Sequence, residues 1–179
     1  MALMEKVGYG QVEPNHLSAQ RTGQIYAQLP ADGNIEVLPN GAFLKYNYAG
    51  QVASTSGAGE FLLVYNEVKL YEPRHTLKDF AVKKSESVDG QIVPRLFKVN
   101  NGDIFTTNLA DITSVGGAIQ GKLLVPVEGD DDYAVLTETA AASIEAGDEV
   151  YQVVSLTNLP DGQPALKVTK LYTAVEDGE

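Results

Sequence analysis

Nucleophilic and metal chemistry both need particular side chains at particular spacings, and this chain offers few of them. It has no cysteine and only two histidines. His16 sits in "PNHLS" and His75 in "PRHTL". Neither lies in a nucleophile elbow or a zinc-binding spacing, so both read as surface or interface histidines. The run Glu128-Gly129-Asp130-Asp131-Asp132 carries oxygens suited to a hard cation. Calcium takes about 6–8 oxygen ligands, and the alternating acids closed by a distant glutamate of a calcium loop are missing, so a solvated acidic loop is expected. "SVGGAIQGK" is glycine-rich and ends in Gly-Lys, but Leu123 stands where a phosphate loop needs a hydroxyl for magnesium. The residues therefore point to no catalytic group, no cofactor and no metal. The expected class is non-enzymatic.

The elements around these residues read as β. "AFLKYNY" (42–48) alternates, with Phe43, Lys45 and Asn47 on one side and Leu44, Tyr46 and Tyr48 on the other. "GQIYAQLP" (23–30) alternates too, and "FLLVYNEVKLY" (61–71) is the most apolar stretch. Asn40-Gly41 and Asn100-Asn101-Gly102 carry hairpin chemistry, since Asn and Gly accept positive φ at low cost. "EVYQVVSLTNL" and "PALKVTKLYT" are expected to form a last hairpin across Pro160-Asp161-Gly162. "RHTLKDFAVKK" (74–84) is the best helix candidate, with Leu77, Phe80 and Ala81 at i, i+3, i+4. The expected fold is mainly β: a small antiparallel β-barrel or β-sandwich body with at most one or two short helices.

The organisation predicted is an extended N-terminal arm (1–22), a β-rich body (23–173) with a possible division into subdomains near 109–121, and an acidic tail (174–179). "VGYGQVEPNHLSAQRTG" (7–23) shows neither helical nor strand periodicity. Two readings of it stay open, an arm that orders on a neighbour by strand addition and a plain flexible terminus.

Charge narrows the partners. There are 24 acidic and 13 basic residues, a net charge of -11. Such a surface repels phosphate backbones, which disfavours nucleic acid as a partner. The N-terminus lacks the apolar run of a signal peptide, and no stretch reaches the roughly 18 apolar residues of a membrane span, so no membrane role and cytoplasmic synthesis are expected. The charge is also uneven. Lys69, Arg74, Lys78, Lys83, Lys84, Arg95 and Lys98 crowd one stretch, whereas Leu123–Leu166 holds acids and no Lys or Arg. Two different faces are implied.

In "VGYGQVEPNHLSAQRTGQIYAQLP", "FLLVYNEVKLYEPR" with "KDFAV", and "PRLFKVNNGDIFTTN", the chain resembles the decoration, or cement, proteins of tailed-bacteriophage heads. The resemblance spans roughly residues 7–108. It implies a virion structural protein on the outer capsid surface, bound to the major capsid protein, stabilising the head and self-associating, with a trimer favoured. Candidate capsid or subunit contacts are Tyr9, Val12, His16, Leu17 and Arg21 in the arm, and Arg74, Lys83 and Lys84 in the basic stretch. Alternatives are another virion component, a head fibre base or minor tail protein, and a cellular ligand-binding β-sandwich. The last would need an exposed aromatic platform, and the chain has no Trp.

Overall fold

A computed structural model describes residues 10–13, 29–66, 81–112 and 119–175. It is mainly β, a curled and predominantly antiparallel sheet forming a half-barrel. In chain order the strands are β1 (Val12–Glu13), β2 (Val37–Pro39), β3 (Phe43–Asn47), β4 (Val52–Ser54), β5 (Leu62–Val64), β6 (Ala81–Lys83) and β7 (Leu96–Phe97). Then follow β8 (Ile104–Thr107), β9 (Ala110–Asp111), β10 (Leu123–Glu128), β11 (Ala134–Thr139), β12 (Glu149–Asn158) and β13 (Pro164–Thr173). The main sheet runs β1-β8-β13-β12-β10-β11-β3-β5-β7, with β4 beside β3 and β9 parallel to β11. A second sheet pairs β2 with β6. Among the described residues helix is limited to single 3₁₀ turns at Lys84–Glu86, Val88–Gly90 and Ala141–Ser143. Strands from both sides of residues 109–121 join in the one sheet, through β8–β13 and β3–β11.

The hairpin expected from the C-terminal sequence forms. β12 and β13 pair from Glu149↔Thr173 to Asn158↔Pro164, with irregularities at Val150/Tyr151 and Val153/Ser155. Its turn closes through Leu159 N–H to the Gln163 carbonyl, 2.8 Å, with Gly162 at φ 89°. β10 and β11 make a second hairpin around the acidic turn.

Two apolar cores lie on opposite faces of the sheet. Phe43, Leu63, Phe97, Phe105, Leu124, Leu136, Tyr151, Val153, Leu166 and Val168 belong to the cluster inside the curl. Leu44, Tyr46, Leu62, Val64 and Leu96 point the other way, into a cluster with Ala31, Ile35, Leu38 and Ile92. β3, β5 and β7 are thus buried on both faces. That is why "FLLV" reads as a continuous apolar run instead of an alternation.

Three local expectations are corrected. The helix predicted over 74–84 does not form where it is described: Ala81–Lys83 is strand, paired to β2 in the register Leu38↔Val82, and Lys84 opens a 3₁₀ turn. A three-turn helix is marginal alone, and strand pairing over the outer core outweighs its propensity. Residues 74–80 lie outside the described set. Asn40-Gly41 and Asn100-Asn101-Gly102 make turns but not hairpins. β2 and β3 belong to different sheets, and β7 and β8 have separate partners. Asn40 is instead buried and pairs its amide with the backbone of Asn66, accepting from N–H at 2.8 Å and donating to the carbonyl at 3.0 Å. Gly41, at φ 93°, carries the chain between sheets, where a Cβ would lie 2.7 Å from Thr107 Oγ1.

Candidate interaction surface and buried charge cluster

Of the sequence-predicted contacts, Val12, Lys83 and Lys84 are described. Val12 is not on an outward-facing arm. It stands opposite Thr107 at the edge of β8 and is buried in the inner core. Gln11 beside it exchanges hydrogen bonds with Asn108: its N–H donates to Oδ1 at 2.6 Å, and its carbonyl accepts from the Asn108 N–H at 3.3 Å. Its side-chain amide reaches Asp161 in the β12–β13 turn, 2.9 Å away. Residues 10–13 therefore act as an edge strand of their own body.

The lysines are engaged locally. Lys83 pairs with Glu86 at 3.4 Å, and Lys84 donates to Glu36 and to the Gly33 carbonyl. A cleft of about 180 Å³ beside Lys84 is lined by Pro30, Asp32, Ile35, Val52 and Ile92. Tyr9, His16, Leu17, Arg21 and Arg74 lie outside the described residues. The structure brings none of the described candidates together into one site.

The acidic turn stays in solvent, as expected. Asp130, Asp131 and Asp132 are exposed, and the Tyr133 hydroxyl donates to Asp131 at 3.1 Å. Burial, then the Asp131 charge, pushes the Tyr133 hydroxyl well above the ordinary tyrosine range. Among the described residues no group of three or more His, Asp or Glu is arranged to hold a metal ion, and no helix is long and apolar enough to cross a membrane.

The surface feature that stands out is the far half of β12. β10 pairs with β12 only at Leu123↔Gln152 and Leu124↔Tyr151. Gly121 and Lys122 extend this contact to Val153. From Val154 to Asn158 the sheet partner among the described residues is β13 alone. This edge, "VSLTN", carries no charge, and its Val154 and Leu156 are 40% and 51% exposed. The free N–H and C=O groups of an edge strand template pairing with another chain; this edge holds no lysine or proline, and the irregularity at Val153/Ser155 marks its start.

A second feature was missed in the sequence. Lys170 lies opposite Tyr151 in the β12–β13 register, two residues after Val168, so its side chain takes the inward phase. There its amine pairs with the Glu149 carboxylate, with both side chains buried. Glu149 also accepts from the Phe61 N–H through Oε1, and from the Tyr151 hydroxyl through Oε2 at 3.3 Å. Glu60 stands 4.0 Å from the Lys170 amine and is itself paired with Lys98. Burial raises the Glu149 carboxyl above the ordinary range, against the opposing pull of Lys170 and of the Phe61 N–H. Burial and then the Glu149 charge raise the Tyr151 hydroxyl. A signal was present in "VTKLYT" and "GDEVYQVV": a lysine and a glutamate fall in phase with inward apolar residues. Charges almost never sit fully buried unless paired, so the two phases together imply one another.

No protein-family model, curated protein or solved structure matches the chain.

Proposed function

We propose that this chain is a non-enzymatic structural protein of a tailed-phage head, binding the outer surface of the capsid through the major capsid protein, stabilising it, and self-associating there. The observation that carries the reading is the uncharged, exposed β12 edge from Val154 to Asn158. A strand edge with protruding apolar side chains suits main-chain pairing with a neighbour, with the side chains setting register. The acidic stretch Leu123–Leu166 makes the surroundings of that edge selective for a basic or neutral partner. On a lattice, many such contacts act together through effective concentration. The sequence resemblance supplies the partner class.

The test is co-sedimentation with expanded phage shells that lack the protein. Wild type is expected to saturate at a fixed ratio to the capsid subunit. Val154→Lys/Leu156→Lys, which places charge on an already exposed edge, is expected to fold and lose binding. Deleting residues 1–9 leaves Gly10–Glu13 in the sheet and separates any contribution of that segment. Absence of wild-type binding to every shell refutes the reading.

A further inference from the structure

Two opposite charges buried together lose their hydration, and their attraction recovers this only with additional hydrogen bonds. Lys170 and Glu149 are 2% and 1% exposed, and the groups around them do more than neutralise charge. The Phe61 N–H holds Oε1, the place where negative charge gathers when a carboxyl carbon is attacked. The Lys170 amine and the Tyr151 hydroxyl both sit on Oε2. The carboxyl carbon is one bond beyond that oxygen, and attack begins from about 3–3.5 Å. Glu60, anchored by Lys98, places a second carboxylate 4.0 Å from the same amine. The Tyr151 ring lies 5.9 Å from the amine and helps keep water out.

We infer that Lys170 and Glu149 form an intramolecular isopeptide bond, joining Nζ of Lys170 on β13 to Cδ of Glu149 on β12. The proton first moves from the ammonium to Oε2 of Glu149, giving a neutral amine and a neutral acid. The raised carboxyl of Glu149 favours that state. The nitrogen lone pair then attacks Cδ, and the oxyanion forms on Oε1 at the Phe61 N–H. Glu60 takes one proton from the nitrogen and passes it to the Oε2 hydroxyl. The Cδ–Oε2 bond breaks and water leaves. One ammonium and one carboxylate become one amide and one water, Glu60 ends as it began, and no oxidant or cofactor takes part. Tyr151 and Lys98 are positioning residues, and the Asp103 charge also acts on the Tyr151 hydroxyl.

The experiment is the intact mass of the denatured full chain, followed by fragmentation. Wild type is expected to weigh one water less than its sequence requires, with a branched peptide linking the segments around residues 149 and 170. K170R is expected to show the full mass. Glu60→Gln is expected to slow conversion by about 10²-fold, the lower end of what a proton carrier contributes. A wild-type chain that keeps its full mass after long incubation at neutral pH and warming overturns the inference, leaving a buried ion pair. So does a water loss that persists in K170R or maps elsewhere, as dehydration at an Asp-Gly step would. The branched peptide is read on wild type alone, so a K170R chain that fails to fold leaves the question decidable.

Discussion

Phe43 and Leu44 are neighbours in sequence, yet they serve different cores. Phe43 packs inside the curl, where its ring lies 5.7 Å from Tyr151 and 6.4 Å from Phe105. Leu44 packs on the opposite face among Ile35, Leu38 and Ile92, which are supplied by turns and by the small β2–β6 sheet. The inner core is assembled by strands distant in sequence. The outer core is largely a roof of short segments, Ala31 being tied to Ile92 and Ala53 to Pro30 by backbone hydrogen bonds of 2.7 and 2.8 Å. Aromatic edge-to-face pairs add about 0.5–1.5 kcal/mol beyond their burial, so the inner core gains more from each side chain. The difference predicts a hierarchy of stability, with the roof as the weaker layer.

The strongest test is a pair of truncations. Phe43→Ala is expected to cost about 3–5 kcal/mol, and Leu44→Ala about 2–4 kcal/mol, in urea unfolding monitored by tyrosine fluorescence. Hydrogen exchange adds the sharper distinction. Amides of β2 and β6 are expected to exchange by a lower-energy opening than those of β12 and β13, and Leu44→Ala should widen that gap. Equal protection of the two layers would dissolve the hierarchy.

A smaller effect is expected at the passage between the layers. Gly41→Ala places a Cβ against Thr107 Oγ1 in a conformation that costs a side chain strain. About 1–3 kcal/mol should be lost, and the melting temperature reads it. Unchanged stability would mean that the crossing can relax without disturbing either core.

The smallest effect concerns the edge strand β1. Burial pushes the Asp161 carboxyl up, but hydrogen bonds from Gln11 and Gln163 outweigh it and hold the carboxyl below the ordinary range. A depressed carboxyl contributes stability that is present above its unfolded value, near 3.8, and is lost as pH falls through the lower folded value. Asp161→Asn is expected to cost less than about 1 kcal/mol, as suits a mostly exposed group. It should also flatten the acid limb of the stability profile below that value. An unaltered acid limb would remove Asp161 from the account of how β1 is held.

The parts of this fold legible in the sequence were those where alternation and turn chemistry agree. Val153, Leu166 and Val168 flank Pro160-Asp161-Gly162, and the hairpin follows. Where local chemistry and long-range pairing disagree, pairing prevailed. Asn40-Gly41 has the residues of a tight hairpin, but its asparagine is spent on Asn66 and its glycine on the crossing. Ala81–Lys83 carries helical spacing but completes the roof beside β2. Val12 was legible as apolar but not as core, because its partner Thr107 lies far along the chain. The buried Lys170–Glu149 pair was written in the inward phase of two strands. It becomes visible only when those strands are set side by side.

The strand order has a consequence for how the molecule is made. β3 meets β11 at Phe43↔Ala134, and β8 meets β13 at Thr107↔Leu166. On a ribosome the N-terminal strands pair among themselves, β3 with β4 and β5 and β8 with β1, but their remaining pairings wait, at about 5–20 residues per second, for β11 and β13 to appear. During that interval the unpaired edges of β3 and β8 are templates for any nascent neighbour, including a second copy on the same message. The late pairings of β11 and β13, and not the first apolar collapse, commit this protein to being one molecule.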